Sequence, residues 1–299
     1  MDAIAAADEL VIGHRPSLYR PARGRYILLR VAKPAVSVLL SIYDQPNAFT
    51  FALLGYQRQT WPDFELVICD DGSDAETKAI VERFRKESPF PVKHVWQENK
   101  GYRRSKIVNT GFRESEGGIV LLSDGDCIPH RDFVKMHATH GGAGRFCVGG
   151  YVRLSAETCQ AMTEATVRAG EYEATFSKAD QWRFFMTHIK GKVGVLFGNI
   201  KKPKVYGCNI SCGRDVFTGV NGYDENFDGF GKEDSDLRNR FRRYGATPVS
   251  LWGKAWVYHV DDAIDPKIRQ RRIPRKKNTE YYHRKDVPVK CLNGIEKPA

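Results

Sequence analysis

The chain has 299 residues, of which 41% are hydrophobic and 28% charged, and it carries a net charge of +11 at pH 7. These values are ordinary for a globular protein with one large domain or two small ones. No stretch approaches the ~20 apolar residues of a membrane-spanning helix, so we expect a soluble or peripheral protein.

In the first half of the chain, short apolar runs alternate four times with amphipathic stretches. The predicted elements are a strand at 36–42, a helix at about 47–59, a strand at 64–69, a helix at about 75–86, a strand at 92–96, a helix at 103–114 and a strand at 117–122. This order predicts an α/β fold with a mainly parallel sheet and helices on both faces. Ligands of such sheets bind beyond the carboxyl ends of the strands, where polar clusters occur at 41–44, 70–71 and 124–126.

The second half is less regular. Residues 156–206 hold a long helical pattern with a basic aromatic stretch that begins at Trp182. Its Trp182, Phe184 and Phe185 suit stacking on sugars or contact with lipid, and they equally suit a helix packed on the sheet. Seven cysteines are scattered without a CxxC pair, which predicts reduced thiols in a cytoplasmic protein.

The segment Ser123-Asp124-Gly125-Asp126-Cys127 places two carboxylates directly after a predicted buried strand. Unpaired buried charge is costly, and a divalent cation would offset it. Neither GxGxxG nor a P-loop sequence occurs, so phosphate charge must be neutralised in another way. A cation held by Asp126, with the basic residues Arg104 and Lys106 nearby, would do so.

Several motifs, in the right order, resemble those of known enzymes. VSVLLSIYDQP, FELVICDDGS and SDGDC resemble the GT-A nucleotide-sugar domain of family 2 glycosyltransferases. YRRSKIVNTGF resembles the matching core of β-1,4-galactosyltransferases, and GYDENFDGFGKEDSDLRNRFRRYG resembles the acceptor-side motif of those enzymes and of chondroitin polymerases. The resemblance covers about 36–135 and 205–262, and it implies a GT-A fold with an acceptor-side extension.

The resemblance and the charge distribution together suggest a domain organisation. We expect an N-terminal extension at 1–34, a GT-A domain at 35–262 with a donor-binding half (35–153) and an acceptor half (154–262), and a basic tail at 263–299. Residues 267–290 hold ten Lys/Arg and two Asp/Glu, so +8 of the net charge lies there. This charge is typical of a solvated tail, or of a tail that binds the anionic inner face of the cytoplasmic membrane.

On the donor side, the resemblance assigns roles residue by residue. It implies that Asp71 contacts the uracil edge of a UDP-sugar, that Asp124 contacts the ribose and that Asp126 binds the metal. The base pocket would be completed by Ser41, Tyr43 and Tyr102. Two structural alternatives stay open, since Asp71 could cap a turn or helix and Tyr102 could be a packed surface aromatic.

On the acceptor side, Glu233 and Asp234 follow a glycine-rich loop at the predicted start of a helix. The resemblance implies that Asp234 is the base of an inverting transfer and that Glu233 orients hydroxyl groups. The following helix is basic, so we expect it to favour the carboxylate form of Asp234. His259 would join Asp126 around Mn²⁺ or Mg²⁺. The galactosyltransferases supply a Met ligand three residues before this His, where the chain has Trp256.

The expected function is therefore an inverting, metal-dependent transfer of a hexose or N-acetylhexosamine from a UDP-sugar to a glycan or glycolipid hydroxyl, in cell-surface polysaccharide synthesis. One alternative is a nucleotidyltransferase of sugar phosphates, although residues 41–46 lack its usual Gly-rich basic loop. A nucleic-acid-binding protein has only the basic tail in its favour, so we expect no nucleic-acid partner.

Overall fold

The computed structural model describes residues 33–260 and 276–297. Its first half alternates as the sequence predicts, with bounds that differ by no more than a few residues. The elements are β1 Val36–Ile42, α1 Pro46–Gln57, β2 Phe64–Asp70, α2 Ala75–Glu87, β3 Val92–Trp96, α3 Arg104–Glu114 and β4 Ile119–Asp124. The predicted N-terminal extension lies outside the described residues, except for its last two positions.

The second half consists of shorter elements. They are β5 Cys127–Pro129, α4 Phe133–His140, β6 Arg145–Val148, β7 Gly150–Arg153, α5 Ala156–Ala161, α6 Glu164–Ala169, a 3₁₀ turn Glu171–Thr175, α7 Lys178–Leu196, β8 Ile210–Gly213, α8 Arg214–Gly219, α9 Glu233–Tyr244, β9 Thr247–Ser250, β10 Trp256–His259 and α10 Lys276–Tyr282.

A seven-stranded sheet with the order β3-β2-β1-β4-β8-β6-β9 forms the centre of the fold. The β1, β2, β3 and β4 strands are parallel to one another, and β8 runs antiparallel to both β4 and β6. Alternate residues of each strand face opposite sides of a sheet. Accordingly, Leu39 and Val67 lie in one hydrophobic cluster and Leu40 and Ile68 in a second. Both faces are buried, and the α/β expectation is confirmed.

A smaller sheet, β5-β10-β7, stands beside the main one. The β10 strand pairs antiparallel with β5, so that His259 lies opposite Cys127. Because β5 begins directly after Asp126, this pairing brings His259 to the end of the SDGDC segment. Two residues that are distant in sequence thereby meet at the carboxyl end of β4.

The described part of the C-terminal segment packs on the domain. Asn278 and Cys291 are buried. The Asn278 side chain donates to the carbonyl oxygens of Gly229 and Gly231 at 2.9 and 3.2 Å. We expected a solvated or membrane-binding tail here, but residues 276–297 brace the loop that precedes α9; residues 263–275 lie outside the described part of the chain.

None of the helices that the structure describes is both long enough and apolar enough to cross a bilayer. All seven cysteines lie in the described residues, and all are buried free thiols.

Candidate active site

A cavity of about 540 Å³ opens at the carboxyl ends of β1, β2 and β4. Ten of the eleven site residues predicted from the sequence line it: Ser41, Tyr43, Asp71, Tyr102, Arg104, Asp124, Asp126, Glu233, Asp234 and His259. Lys106 does not, because its side chain is exposed on α3. It lies two residues after Arg104, which is about 200° around the helix, and so it points away when Arg104 points in.

Asp124, at the end of β4, accepts three hydrogen bonds. Its Oδ1 accepts from Ser41 Oγ at 2.7 Å and from the Nε and Nη2 atoms of Arg104 at 3.0 and 2.9 Å. All three donors reach the same oxygen, so Oδ2 has no hydrogen bond from a described residue. The next residue, Gly125, has no room for a side chain, because a Cβ there would lie 2.6 Å from Ile42 Cγ2.

Asp71 has structural partners, but it does not cap the turn or the helix. Those roles belong to Asp70, whose Oδ1 accepts from the backbone of Gly72 and Ser73, and to Asp74, which caps α2. Asp71 instead accepts from Gln97 Nε2 at 2.6 Å and from the backbone N–H of residue 103 at 2.7 Å. These bonds tie β2 to the 97–103 loop and leave the Asp71 side chain at the cavity wall.

Two aromatic residues, Tyr43 and Tyr102, line the cavity. The Tyr43 hydroxyl accepts from Asn99 Nδ2 at 3.0 Å. The Tyr102 ring packs edge-on against Phe230, with 5.6 Å between centroids, and its hydroxyl donates to Glu233 Oε1 at 3.5 Å. Tyr102 therefore contacts both the loop before α9 and its first residue, and burial raises the pKa of its hydroxyl.

Asp126 and His259 form a candidate cation site. His259 Nε2 lies 3.6 Å from Asp126 Oδ2, which is too far for a hydrogen bond. His259 Nδ1 is buried and has no hydrogen-bond partner among the described residues. The Cys127 thiol completes a group whose ligand atoms all lie within 4.8 Å of one another. A carboxylate and an imidazole this close fit Mn²⁺, and they fit Mg²⁺ less well.

Cys127 was not predicted as a site residue. Its thiol donates to Asp126 Oδ1 at 3.3 Å. Burial, together with the neighbouring Cys208 and Asp126, raises the pKa of Cys127 well above its usual range. The thiol form therefore orients the Asp126 carboxylate. Trp256 cannot replace the absent Met ligand, because an indole N–H is only a hydrogen-bond donor; its ring stacks on Phe176 with 4.6 Å between centroids.

Asp234 also lines the cavity, from the first turn of α9. Its Oδ1 accepts from the Tyr223 hydroxyl at 2.6 Å and from Arg104 Nη1 at 3.3 Å. A Cβ at Gly207 would come within 2.5 Å of Asp234 Oδ2, so only glycine leaves room for this carboxylate. Lys232 caps α9 in the left-handed region, at φ 77°. That strained geometry fixes where the helix begins.

Both carboxyl groups of the pair resist ionisation. Burial, followed by the charge of Asp234, raises the pKa of Glu233 to about 8. Burial also raises the pKa of Asp234, although the Arg104 guanidinium and the Tyr223 hydroxyl oppose the shift. Glu233 Oε2 is buried and has no hydrogen-bond partner among the described residues. The pair can thus provide one hydrogen-bond donor and one proton acceptor.

The expectation that the basic α9 helix favours the Asp234 carboxylate is wrong. Arg240 of α9 is fully buried and bonds to Asp236 Oδ2 at 2.7 Å. Arg238 bonds to the carbonyl oxygen of Pro203, away from the cavity. The cation that faces Asp234 is Arg104, from α3, and its effect is smaller than that of burial.

Residues 37–206 match the family model described as glycosyl transferase family 2. The chain belongs to this family. Residues 192–263 of this family 2 chain also match the model of the N-terminal domain of galactosyltransferase. The second match spans α9 and His259, so the predicted combination of a GT-A glycosyltransferase with a galactosyltransferase-like C-terminal motif is confirmed.

The names of curated relatives of this glycosyltransferase indicate different substrates. Chondroitin synthase of Escherichia coli is 25% identical over 283 residues, which is 85% of this chain and 40% of that protein. Validoxylamine A glucosyltransferase of Streptomyces hygroscopicus subsp. jinggangensis is 26% identical over 236 residues, 75% of this chain and 54% of that protein. The chain thus spans about half or less of the length of these relatives.

Solved structures of similar fold support the GT-A assignment. The mannosyltransferase PcManGT from Pyrobaculum calidifontis, in complex with GDP-Man and Mn²⁺, has a TM-score of 0.52 at 16% identity, over 84% of this chain and 60% of that one. TarS of S. aureus in complex with UDP has a TM-score of 0.51 at 16% identity, over 83% of this chain and 69% of that one. At this identity the likeness shows the fold alone.

Proposed function

We propose that this glycosyltransferase moves a hexose or N-acetylhexosamine from a UDP-sugar to an acceptor hydroxyl, with inversion and with the help of a divalent cation. The observation that carries the proposal is the single cavity lined by both carboxylate motifs. Asp124 and Asp126 lie at the end of β4, and Glu233 and Asp234 lie at the start of α9. A transferase of this kind needs donor and base groups on either side of one reaction centre.

The donor nucleotide would bind along the ends of β1, β2 and β4. Asp71 offers a carboxylate for the uracil edge, with Tyr43 and Tyr102 as aromatic walls and Ser41 beneath. Asp124 Oδ2 would accept from a ribose hydroxyl, because its Oδ1 is already bonded to Ser41 and Arg104. The complex of TarS with UDP supports a uridine nucleotide, whereas the complex of PcManGT with GDP-Man makes the base worth testing.

Asp126 and His259 would hold the cation, Mn²⁺ or Mg²⁺, and Cys127 would orient Asp126. When bound, the cation supplies positive charge next to the diphosphate of the donor and favours its departure. The proximity of Asp126 to His259 and the unpartnered Nδ1 of His259 support this assignment. The Mn²⁺ in the PcManGT complex is consistent with it.

Asp234 would accept the proton of the acceptor hydroxyl while that oxygen attacks the anomeric carbon. The new C–O bond forms as the bond between the anomeric carbon and the diphosphate oxygen breaks, and the diphosphate leaves with the electron pair. A single displacement of this kind inverts the anomeric centre. The raised pKa of Asp234 makes it a stronger proton acceptor than an ordinary aspartate, and Glu233, protonated near neutral pH, would donate to a substrate oxygen.

The acceptor would be a glycan or a lipid-linked glycan, in polysaccharide synthesis at the cytoplasmic face of the membrane. The relationship to chondroitin synthase supports a polysaccharide. Peripheral contact with an anionic membrane is part of the proposal, on the ground of the net charge of +11.

A donor panel tests the proposal. The protein is titrated calorimetrically with UDP-, GDP- and CMP-sugars, with and without Mn²⁺, and the product formed with a soluble glycan acceptor is followed by NMR. We expect one UDP-sugar to bind with Mn²⁺ and to give a product of inverted anomeric configuration. Binding of a GDP- or CMP-sugar instead would overturn the donor assignment, and a retained configuration would overturn the role of Asp234.

A further inference from the structure

The outer face of α7 carries an apolar stripe. Five apolar residues follow one another at spacings of 3, 4, 4 and 3, which places them on one side of a helix. All five, and the residue after them, are exposed: Trp182, Phe185, Ile189, Val193, Leu196 and Phe197. Leu196 and Phe197 are each 81% exposed, so the C-terminal end of α7 is an apolar tip.

The opposite face of α7 is anchored to the domain. Phe184 is buried and packs edge-on against Trp252, with 5.0 Å between ring centroids. It also contacts Trp256 at 6.4 Å, and His188 Nδ1 lies 2.8 Å from Ser250 Oγ. These contacts fix the rotation of α7 about its axis. The apolar stripe therefore cannot turn inward without breaking the packing on the other side.

Positive charge surrounds the stripe. By the helical period, Lys190 and Lys192 flank it on opposite sides, and both are exposed. Residues 181–204 contain six Lys/Arg and no Asp or Glu. Lys190, Lys192 and Lys201 form no ion pair with any residue in the described part of the chain. The face thus combines bulky apolar side chains with free cations.

The C-terminal segment differs in this respect. Lys277 pairs with Asp228 at 2.6 Å, and Arg284 pairs with Asp224 at 3.1 Å. Lys290 pairs with Glu296 at 2.8 Å. Much of the positive charge at 276–297 is therefore compensated within the protein. On α7, in contrast, lysines without an ion pair to a described residue lie beside exposed apolar side chains.

We propose that α7 docks the protein on an anionic lipid bilayer, with the helix lying in the plane of the interface. Trp, Phe and Leu on one side, with lysines at the margins, are the composition of helices that bind in this way. The packing of Trp252 against Tyr206, which lines the cavity, connects α7 to the acceptor side of the site. This orientation would present a lipid-linked acceptor to the cavity. The inference rests on the membrane contact of the proposed function and assigns that contact to α7.

Vesicle flotation of the full chain tests the proposal. Vesicles of phosphatidylcholine with 30% or so phosphatidylglycerol, a typical anionic composition, are compared with vesicles of phosphatidylcholine alone. The apolar variant is Leu196→Ser with Phe197→Ser, and its control is Leu292→Ser, an equally apolar side chain that is 74% exposed elsewhere. The charge variant is Lys190→Glu with Lys192→Glu, and its control is Lys285→Glu, on the C-terminal segment.

We expect binding to the anionic vesicles only, weakened at least about tenfold by either α7 variant and unchanged in the controls. Equal binding of the α7 variants and the wild type would overturn the proposal, and so would wild-type protein that does not bind. A self-associated wild type that Leu196→Ser with Phe197→Ser converts to monomers would show that a second copy covers the face. Donor turnover without vesicles should be the same in all variants, so a failure of docking and a failure of the proposed reaction are distinguishable.

Discussion

Arg104 joins the two carboxylate motifs. Its Nη2 lies 2.9 Å from Asp124 Oδ1, and its Nη1 lies 3.3 Å from Asp234 Oδ1. The same guanidinium donates to the Gly207 carbonyl oxygen at 3.1 Å. A residue that we expected to help neutralise phosphate charge therefore also holds the proposed base, Asp234, close to Asp124.

Replacing Arg104 with Lys should separate the effect of its positive charge from the effect of its hydrogen-bonding geometry. A lysine keeps the charge but cannot bond to both carboxylates in a planar arrangement. We expect kcat to fall by about a hundredfold, because small displacements of a base are costly. Arg104→Met should in addition move the acidic limb of the pH–rate profile to higher pH, since Arg104 lowers the pKa of Asp234.

The control for both variants is Arg113→Lys, an exposed position at the other end of α3. Steady-state kinetics from pH 5 to 9 would measure the effects. If Arg104→Lys left kcat within a factor of two or so of the wild type, Arg104 would not position Asp234.

Glu233 should make the fold less stable as the pH rises. Its pKa is about 8 in the folded protein against an ordinary value of 4.5, because of burial and the neighbouring Asp234 and Asp124, with Arg104 opposing them. The protonated group contributes full stability below pH 4.5, and that contribution is lost as the pH rises towards 8 and above. One pKa unit corresponds to about 1.4 kcal/mol. Glu233→Gln should therefore gain at least about 2 kcal/mol over the wild type between pH 5 and 9.

Urea unfolding at a series of pH values would measure this difference, with Glu87→Gln, at the exposed end of α2, as the control. A constant difference between Glu233→Gln and the wild type across the pH range would show that Glu233 ionises normally.

Gly207 should be needed for the position of Asp234. A methyl group at residue 207 would lie 2.5 Å from Asp234 Oδ2, so Gly207→Ala must displace the carboxylate. We expect a decrease in kcat of about 10- to 100-fold with little change in donor affinity. Gly118→Ala is the matched control, because the nearest atom to its added methyl lies 3.9 Å away. A loss of donor affinity equal to the loss of kcat would mean that Gly207 serves the donor side instead.

Asn278 should stabilise the loop before α9. Its side chain bonds to the carbonyl oxygens of Gly229 and Gly231, and it is buried. Asn278→Ala leaves these carbonyls without their partner, so we expect about 1–3 kcal/mol of lost stability and a lower kcat. Glu280→Ala, exposed on the same helix, serves as the control. Unchanged hydrogen exchange in the 226–235 backbone of Asn278→Ala would contradict this role.

The sequence predicted those parts of the molecule in which a local pattern decides the structure. The apolar runs of β1, β2 and β4 determine the parallel sheet, and turn and cap residues such as Asp74 mark where its helices begin. The pattern also placed Asp71 and Asp126 at strand ends, because carboxyl ends of parallel strands meet at one edge.

Other features depend on contacts between distant segments. Local periodicity could not decide between Arg104 and Lys106, since a shift of two residues in the helix phase reverses which one faces the cavity. Local periodicity also could not show that Tyr223 bonds to Asp234, or that Arg240 forms an ion pair with Asp236. Nor could a count of charges show that acidic partners from elsewhere in the chain compensate Lys277 and Arg284 in the C-terminal segment.

The most direct test of the division of labour compares Asp126→Asn with Asp234→Asn, using Asp286→Asn, an exposed position, as the control. Donor binding with Mn²⁺ is measured by calorimetry, and single-turnover transfer is measured on the same samples. We predict that Asp126→Asn loses cation-dependent donor binding, and that Asp234→Asn binds the donor normally but transfers it about 10²- to 10⁴-fold more slowly. Transfer by Asp234→Asn at nearly the wild-type rate, or undiminished donor binding by Asp126→Asn, would contradict the account.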